Sequence, residues 1–283
     1  MGEAVRRVAV VTGGLRGLGE AMALGLARAG HDVVAVGHIE ADVVPMAQKA
    51  EGLSGRLLPH CADLRDPAAC DAVLALAEAR FGPVDILVNN AGLTFTTTAP
   101  DRFRRSTVQR FFECGDAVVQ AVMDTNFVLA DRMARRVAPG MVARGWGRNV
   151  NVTTKLDTMD RAGSSPYGPS KAALEMASAI WAKDLHGTGV TVTIVNPGTG
   201  ADTPGMAVEA RDASREGRSP RLLDPAAMVP PLLWALSDAA AGANGFRFDA
   251  NGWDATLPPD EAARRVARPA GFLLHPPGAR PAA

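Results

Sequence analysis

The sequence predicts an α/β fold in which one domain is built on a doubly wound parallel sheet of about seven strands. Short β-branched runs recur along the chain, and segments of helical periodicity separate them. This alternation is typical of βαβ units, whose successive strands pair in parallel. Hydrophobic residues make up 47% of the chain, which is enough to bury a sizeable core. The clearest runs lie at residues 8–11, 33–36, 86–88, 150–152 and 190–195.

The helices between these runs have recognisable signals. Apolar residues over 18–29 follow helical spacing and predict the first crossover helix. A second helix over 68–81 is preceded by Asp66, which can cap its N-terminus, and by a proline that suits the first helical position. Apolar spacing over 118–130 predicts one long helix, which contains Asn126.

The domain is expected to span residues 1–255. Residues 94–116 interrupt the alternation of strands and helices with a threonine run, a proline and several arginines, so they are predicted to be an insertion. Residues 256–283 are predicted to form a Pro/Ala-rich C-terminal tail, because from residue 269 onward prolines, glycines and alanines dominate without periodicity.

Composition and charge exclude several classes of partner. The 30 basic residues are balanced by 30 acidic ones, so no net charge directs the chain towards nucleic acid or a membrane surface. No apolar stretch has the length of a membrane span. The three cysteines form no C-x-x-C pair, so no disulfide framework and no metal site are expected, and free thiols indicate the cytoplasm. A small-molecule partner is therefore predicted.

A glycine-rich turn follows the first predicted strand. Residues 12–19 read T-G-G-L-R-G-L-G and lie where that strand gives way to a helix. Glycines let backbone N–H groups approach a pyrophosphate, and the helix N-terminus adds a favourable dipole. The spacing is G-x-x-x-G-x-G, which differs from the widely used G-x-G-x-x-G fingerprint. The turn predicts a dinucleotide site, with a purely structural turn as the alternative.

Other polar residues follow predicted strands. Asp63 comes after the third strand region, and residues 89–92 read N-N-A-G at the end of the fourth. Open α/β sheets bind ligands at the carboxyl ends of their strands, so these residues are candidates for ligand contact. Each of them could also simply cap a loop.

Tyr167 and Lys171 are expected to lie on one helix face, because they are four residues apart at the start of an apolar helical pattern. An ammonium beside a phenol favours the phenolate, which would lower the pKa of Tyr167 towards neutrality. The pair therefore predicts a general acid/base. A structural tyrosine at a helix start is the alternative.

These motifs together resemble the short-chain dehydrogenase/reductase family. The resemblance rests on T-G-x-x-x-G-x-G at 12–19, N-N-A-G at 89–92, Y-x-x-x-K at 167–171 and N-P-G at 196–198. Their order and separations match the family, and the resemblance covers about residues 7–253. It implies a Rossmann-like fold, a nicotinamide dinucleotide cofactor and hydride transfer at a carbonyl or secondary alcohol carbon.

The resemblance also implies roles for individual residues. Thr154, thirteen positions before Tyr167, would polarise the substrate oxygen, and Tyr167 would transfer the proton. Asn126 would hold a water that links Lys171 to solvent. The implied catalytic residues are Tyr167, Lys171, Thr154 and Asn126. The implied cofactor-binding residues are Gly13, Leu15, Arg16, Gly17, Leu18, Gly19, His38, Asp63, Leu64, Asn90, Ala91, Gly92, Tyr167, Lys171, Pro197 and Gly198.

Two positions depart from the family pattern. Asp202 stands where the family usually has a threonine beside the nicotinamide carboxamide, and Thr203 comes one residue later. That contact is therefore in doubt. Asn149 lies in the fifth strand, where an apolar residue is usual, and the sequence offers no account of it.

The residue that ends the second predicted strand bears on the choice of dinucleotide. Members that prefer NAD usually have an acid there, but this chain has Gly37. Glycine leaves room for a 2′-phosphate, and Arg16 and His38 can supply positive charge to it. NADP(H) is the favoured cofactor. NAD(H) is the alternative, because His38 is mostly neutral at pH 7 and Glu40 is close in sequence.

Three functions stay open at this point. The first is an NADP(H)-dependent reductase of a ketone or 3-oxoacyl carbonyl, with Tyr167 as general acid/base. The second is an NAD-dependent dehydrogenase of a secondary alcohol, sugar or diol, and the third is a non-catalytic dinucleotide-sensing protein. The intact catalytic set argues against the sensor. By resemblance, a homodimer or homotetramer is also expected.

The substrate is expected to contact the insertion at 94–116 and a loop at 199–220, because the family builds its pocket from segments that follow these strands. The insertion contains an arginine cluster that could hold an anionic substrate or an acyl-carrier phosphate. A solvated charged face is the more common outcome of such a cluster. Its members are Arg102, Arg104, Arg105 and Arg110.

Overall fold

The computed structural model of the chain describes residues 5–102 and 105–272. Its strands are β1 (Val8–Thr12), β2 (Asp32–Gly37), β3 (Leu57–Cys61), β4 (Ile86–Asn89), β5 (Gly147–Asn151), β6 (Val190–Asn196), β7 (Phe246–Asp249) and β8 (Ala267–Pro269). They form one sheet in the order β3-β2-β1-β4-β5-β6-β7-β8. Strands β1 to β7 pair in parallel. Strands β2 and β3 extend the sheet on one side of β1, and β4 to β7 extend it on the other side. The predicted doubly wound α/β sheet is therefore confirmed.

The helices connect these strands across both faces of the sheet. They are α1 (Gly17–Arg28), α2 (Val43–Lys49), α3 (Pro67–Phe81), α4 (Phe95–Thr98), α5 (Asp116–Met123), α6 (Leu129–Ala143), α7 (Leu156–Asp160), α8 (Tyr167–Asp184), α9 (Val208–Arg215), α10 (Val229–Leu236) and α11 (Pro259–Val266). The side chain of Asp66 accepts a hydrogen bond from the Ala68 N–H at 2.9 Å, so the predicted start of α3 is confirmed.

The core lies in two layers because successive strand residues point to opposite faces of the sheet. On β1, Val11 packs in the layer that contains Met22 of α1 and Leu232 of α10. Its neighbour Val10 packs in the other layer, with Met133 of α6. Both faces of the central strands are therefore covered, as expected for parallel sheets.

One turn of π-helix, Asp124–Val128, joins α5 to α6. Sequence spacing predicts a single continuous helix there, and the structure inserts this wider turn at Asn126. Such π-turns occur often at functional sites, because the extra residue redirects a side chain. Here the redirected side chain is the buried amide of Asn126.

The C-terminal part of the chain differs from the sequence-based expectation of a tail from residue 256. Helix α11 and strand β8 lie within it, and β8 pairs antiparallel with β7 as an eighth strand. Ala263 and Val266 of α11 pack with Phe248 of β7. The Pro/Ala-rich composition of the segment, on which the expectation of a tail rests, does not report the contacts that α11 makes with β7. Residues 273–283 of the predicted tail lie outside the described residues.

Neither a membrane-spanning helix nor a metal-binding cluster is present in the part of the chain that the structure describes. No helix within 5–102 and 105–272 has both the length and the apolar character needed to cross a membrane. Across the same ranges, no group of three or more His, Cys, Asp or Glu side chains is arranged to hold a metal ion. Cys61, Cys70 and Cys114 are free thiols.

Candidate active site

A cleft of about 230 Å³ lies along the carboxyl ends of the central strands, and we call it the strand-end cleft. This is the edge at which open parallel sheets bind ligands. Of the residues that the sequence assigns to a cofactor, it is lined by Gly13, Leu15, Arg16, Gly17, Leu18, His38, Asn90, Ala91, Gly92, Tyr167, Lys171 and Pro197. A cavity of about 100 Å³ adjoins it and is lined by Asp63 and Leu64. Gly19 and Gly198 are not among the lining residues of either space.

Gly19 has a structural reason to be a glycine. A Cβ added there would lie 2.0 Å from the Gly13 carbonyl oxygen and 2.4 Å from Asn90 Nδ2. Asn90 Nδ2 donates to the carbonyl oxygens of Thr12 and Gly13 at 3.1 and 3.0 Å. The N–H groups of Asn90 and Ala91 both donate to Thr12 Oγ1. These bonds join the ends of β1 and β4, and a side chain at position 19 would break them.

Lys171 is buried at the inner wall of the strand-end cleft. Its ammonium donates to the Val152 carbonyl oxygen at 2.8 Å, and burial lowers its pKa to about 8. A Cβ added to Gly92 would lie 3.4 Å from Lys171 Nζ and 3.3 Å from Asn126 Oδ1. Any side chain at position 92 would therefore fill the space in front of this amine. These features fit a nicotinamide dinucleotide, whose ribose hydroxyls Lys171 would hold.

Asn126 fastens the loop after β4 to helix α8. Its Oδ1 accepts the Leu93 N–H at 2.7 Å, and its Nδ2 donates to the Leu93 carbonyl oxygen at 3.0 Å. The same nitrogen donates to Ser170 Oγ at 2.9 Å, so both amide N–H groups are used. The water that the family resemblance assigns to Asn126 would have to use the remaining lone pair of Oδ1. That role stays a prediction.

Tyr167 is the first residue of α8 and faces Thr154. Although Tyr167 keeps some exposure to the cleft, burial of its phenol raises the pKa, and a hydrogen bond with the Thr154 side chain opposes this change. The direction is opposite to the one that the spacing of Tyr167 and Lys171 predicts. Desolvation of the phenolate is the largest cause, and Lys171 is not among the groups that shift this pKa. The phenol is therefore protonated at neutral pH and can donate a proton.

A buried ion pair lies directly behind Thr154. Arg247 Nη1 is 2.9 Å from Glu175 Oε2, and the two side chains are 1% and 0% exposed. Arg247 Nη2 donates to the Thr154 carbonyl oxygen at 3.0 Å, and Thr153 Oγ1 donates to Glu175 Oε2 at 2.9 Å. Burial raises the pKa of Glu175, and Arg247 opposes that rise. The pair thus ties α8 and β7 to the loop that presents the Thr154 hydroxyl.

Sequence reasoning missed both members of this ion pair. Glu175 is four residues after Lys171, so helical spacing places it on the same face of α8. Arg247 lies in the F-R-F-D run of the last strand, where its register decides whether it faces the core. The sequence therefore shows a charged residue at each of these positions. Only the pairing of β6 with β7 brings the two side chains together.

The structure also accounts for Asn149. Asn89 Nδ2 donates to Oδ1 of Asn149 at 3.3 Å and to Oδ1 of Asn151 at 2.9 Å. Asn151 Nδ2 in turn donates to Ser178 Oγ on α8 at 2.8 Å. A buried amide is costly without partners, and here neighbouring strands supply them. Asn149 is therefore part of a buried amide network that joins β4, β5 and α8.

The end of β2 carries charges of both signs. Arg16 Nε lies 3.8 Å from Asp42 Oδ2, and both residues line the strand-end cleft with His38. A Cβ added to Gly37 would lie 3.0 Å from the side chain of Leu15. A side chain at position 37 would therefore crowd Leu15, which is a packing reason for glycine there. Because this reason is independent of the 2′-phosphate, Gly37 is weaker evidence for NADP(H) than its position in the sequence implies.

Asp63 is engaged by a neighbouring arginine. Arg65 Nε donates to both carboxylate oxygens of Asp63, at 2.9 and 3.1 Å. The hydrogen bonds from Arg65 hold the pKa of Asp63 below its usual range. The pair brings a guanidinium to the small cavity that Asp63 lines, which adds a cation near the predicted adenosine site.

The structure separates the roles of Asp202 and Thr203. Asp202 accepts a hydrogen bond from Arg211 Nε at 2.5 Å and lies 3.3 Å from Arg215, in a separate cavity. Thr203 lines the strand-end cleft, and a Cβ added to Gly17 would lie 3.3 Å from Thr203 Cβ. Thr203 therefore lies at the cleft, in the place where the family pattern would put residue 202. Sequence reasoning lacked the loop geometry needed to see this.

A second space of about 410 Å³, the tyrosine cavity, adjoins the strand-end cleft. Thr154 and Tyr167 line it, so a molecule inside it has access to both hydroxyls. Residues from the predicted insertion, 94–116, and from the predicted substrate loop, 199–220, form its other walls. The two segments that the sequence assigns to substrate contact therefore meet at one cavity.

The predicted arginine cluster does not act as a unit. Arg102 lines the tyrosine cavity. Arg105 lies 3.4 Å from Glu113, and the backbone N–H of Arg110 donates to the same carboxylate at 2.7 Å. Arg104 lies outside the described residues. Within the described residues, Arg102 is thus the member of the cluster that faces the candidate site.

Comparisons with known proteins agree with this geometry. The family described as short chain dehydrogenase matches residues 7–214. The ketoacyl reductase HetN of Nostoc sp. is 30% identical over 205 residues, which cover 72% of this chain and 67% of that protein. The NADP-dependent 3-hydroxy acid dehydrogenase YdfG of Salmonella typhi is 32% identical over 191 residues, covering 68% of this chain and 71% of that protein. A crystal structure of actinorhodin polyketide ketoreductase with NADPH aligns with a TM-score of 0.71 at 26% identity, over 84% of this chain and 92% of that chain.

Proposed function

Because the chain belongs to the short-chain dehydrogenase/reductase family, whose members are oxidoreductases acting on CH–OH and C=O groups, we propose that it reduces a ketone or 3-oxoacyl carbonyl with NADPH. The observation that carries the proposal is that Thr154 and Tyr167 both line the tyrosine cavity, while Tyr167 also lines the adjoining strand-end cleft. A carbonyl oxygen in the tyrosine cavity has both hydroxyls on its wall.

The proposed chemistry divides between cofactor and protein. The nicotinamide, when bound, supplies the hydride. Thr154 donates a hydrogen bond to the carbonyl oxygen and stabilises the negative charge that develops there. Tyr167 is protonated at neutral pH and transfers its proton to that oxygen. Lys171 stabilises the resulting phenolate, and Asn126 holds the loop after β4 in place.

The preference for NADPH rests on the cations at the end of β2. Arg16 and Arg65, the latter paired with Asp63, border the spaces in which the adenosine half would lie, and His38 lies beside them. The NADP-dependence stated in the name of the YdfG relative and the NADPH in the ketoreductase structure support the same preference. The ion pair of Arg16 with Asp42 favours the alternative, an NAD-dependent dehydrogenase of a secondary alcohol, sugar or diol, because it neutralises one of these cations.

We expect NADPH to bind more tightly than NADH, and Arg16→Gln to reduce that preference by roughly 10-fold, since a charge-assisted contact to phosphate contributes about 1.5–3 kcal/mol. Fluorescence titration of each cofactor against both proteins measures the ratio of the two Kd values. Arg28→Gln is the matched control, because Arg28 is an exposed residue in the last turn of the same helix. Tighter binding of NADH by the unmodified protein would reverse the proposal in favour of the alternative.

Lys171 should give the reaction a specific pH dependence. Its pKa is lowered to about 8, so the ammonium loses its proton as the pH rises through that value. The pKa of Tyr167 is raised, so the phenol stays protonated over the same range. We therefore expect kcat/KM for ketone reduction to fall above about pH 8. A pH–rate profile measures this, and Lys171→Arg, which keeps its charge, should remove the fall. A profile that stays level to pH 10 would contradict the assignment.

Turnover also tests the third hypothesis. Cofactor binding without turnover of any ketone or secondary alcohol would favour a dinucleotide-sensing protein.

A homodimer or homotetramer and a cytoplasmic location remain part of the proposal. Met176 and Ile180 support self-association, because they are exposed and lie one helical turn apart on α8. Light scattering on the purified protein would give the oligomeric state.

A further inference from the structure

Two arginines border the spaces in which the adenosine half of a dinucleotide would lie, and each has a carboxylate beside it. Arg16 directly precedes α1 and lines the strand-end cleft. Arg65 lines the adjoining cavity of about 100 Å³. Their carboxylates belong to Asp42 and Asp63, which line the same two spaces. The two ion pairs differ in geometry, and this difference decides which arginine is available to a ligand.

Asp63 holds Arg65 firmly. Arg65 Nε donates to both carboxylate oxygens of Asp63, at 2.9 and 3.1 Å, and Arg65 Nη2 donates to Oδ2 at 2.5 Å. A contact of this kind aligns the guanidinium with the carboxylate and is among the strong forms of hydrogen bond in proteins. A ligand that takes Arg65 has to break all of these hydrogen bonds. Arg65 is therefore expected to stay with Asp63 when a dinucleotide binds.

Asp42 holds Arg16 only loosely. Arg16 Nε lies 3.8 Å from Asp42 Oδ2, which is beyond hydrogen-bond distance. The Arg16 side chain is 48% exposed and that of Asp42 is 27% exposed, so water screens their attraction. An exposed ion pair of this kind changes an equilibrium constant by at most about fivefold. A phosphate group offers Arg16 more negative charge and a bidentate contact, so it is the stronger partner.

We propose that Asp42 is a specificity-determining residue, which competes with the 2′-phosphate of NADPH for Arg16 and so narrows the preference for NADPH over NADH. The inference rests on the proposed function, because it needs a nicotinamide dinucleotide in the strand-end cleft. NADH has a neutral 2′-hydroxyl, which does not draw Arg16 away from Asp42. The binding of NADPH includes the free energy of separating the ion pair. The Kd of NADPH is therefore raised by Asp42, and that of NADH is not.

Glu40 provides a contrast within the same turn. Glu40 and Asp42 are the first and last residues of a 3₁₀ turn that joins β2 to α2. Glu40 is exposed, and it is not among the described residues that line the strand-end cleft or the cavity beside it. Glu40→Gln removes the same charge two residues before Asp42 and is therefore the matched control for Asp42→Asn. Within the described chain, the Asp42 side chain does not cap α2, so Asp42→Asn should leave the fold intact.

The test compares ligands that differ only in the 2′-phosphate. NADPH and NADH are titrated by fluorescence, and adenosine 2′,5′-bisphosphate and adenosine 5′-monophosphate by calorimetry. We expect Asp42→Asn to lower the Kd of both 2′-phosphorylated ligands about 3- to 5-fold, and to change the Kd of the other two by less than about 1.5-fold. This gain should vanish in protein that also carries Arg16→Gln, because no ion pair is then left to separate. Glu40→Gln should leave all four Kd values unchanged, and thermal unfolding checks that each variant is folded.

Several results would overturn the inference. An equal gain in NADPH affinity from Asp42→Asn with and without Arg16→Gln would mean that Asp42 repels the phosphate directly. A loss of NADH affinity in Asp42→Asn would mean that Asp42 binds the adenosine ribose. An equal gain from Glu40→Gln would mean that only the net charge of the turn matters.

The binding measurements separate this inference from the proposed function, because the adenosine fragments report on Arg16 and Asp42 without any turnover. The expected effect of Asp42→Asn in a protein that turns over no ketone or alcohol would support the competition and overturn the function. Ketone reduction with NADPH, together with no effect of Asp42→Asn on any Kd, would overturn the competition and leave the function intact. Tighter binding of NADH by the unmodified protein, with the expected effect of Asp42→Asn present, would support the competition and overturn the choice of NADPH.

Discussion

Tyr167→Phe is expected to lower kcat for ketone reduction by about 10²- to 10⁴-fold, the usual contribution of a positioned general acid. The phenylalanine ring keeps the packing against Phe95, whose centroid lies 4.9 Å away, so the tyrosine cavity should keep its shape. Only the phenol hydroxyl, the proposed proton donor, is lost from the wall that it shares with Thr154. Steady-state kinetics with NADPH measure the loss, and cofactor titration should give a Kd close to that of the unmodified protein.

The ionisation of Tyr167 offers an independent check on its role as a proton donor. Tyr167 is the chain's one tyrosine, so ultraviolet absorbance of a phenolate reports on this residue alone. Because burial raises its pKa, cofactor-free protein should show no phenolate at pH 9. The Tyr167→Phe protein supplies the baseline. Phenolate absorbance below pH 9, or kcat within about threefold of the unmodified enzyme in the Phe variant, would argue against a general acid here.

Arg247→Ala is expected to lower the free energy of unfolding by about 3–5 kcal/mol, because it leaves the carboxylate of Glu175 buried without its cation. Urea unfolding followed by circular dichroism measures the change. Arg265→Ala is the matched control: Arg265 is 57% exposed and pairs with Glu261 at 2.9 Å, so its loss should cost at most about 1 kcal/mol. Similar losses of unfolding free energy for Arg247→Ala and Arg265→Ala would mean that the buried ion pair stabilises the protein no more than the exposed one.

The same variant should show a stronger pH dependence of stability than the unmodified protein, and the sign of this dependence identifies Glu175. Burial already raises the pKa of Glu175, and removal of Arg247 removes a group that opposes this rise. The folded variant then holds a proton that the unfolded chain releases at a lower pH. Its unfolding free energy should therefore decrease as the pH rises from the ordinary range of a glutamate towards the raised pKa. Arg247→Ala combined with Glu175→Gln should remove this slope.

A positioning role for the ion pair would appear in the kinetics. Arg247 donates to the Thr154 carbonyl oxygen, so its loss should displace the Thr154 hydroxyl and lower kcat more than it raises KM. Arg247→Lys should recover part of kcat, since it restores the charge beside Glu175. A purely structural role would change stability and leave the kinetics of the folded fraction unaltered.

Several details of the site were predictable from short-range pattern alone. The glycine turn at 12–19, Tyr167 and Lys171 were singled out because turn chemistry and helical spacing act over a few residues, and Asn90 because it follows a predicted strand. The direction of the pKa of Tyr167 was not predictable in this way. It depends on how much of the phenol is desolvated, and desolvation depends on which distant segments pack around it.

The sequence by itself determined the order of strands and helices, the doubly wound sheet and the motifs that meet at its carboxyl edge, since periodicity and turn residues are local properties. Only the tertiary structure decided that Arg247 and Glu175 pair behind Thr154, that Thr203 faces the cleft in place of Asp202, and that residues after 256 add a helix and an edge strand. Each of these depends on strand register or loop course, which bring together side chains far apart in sequence.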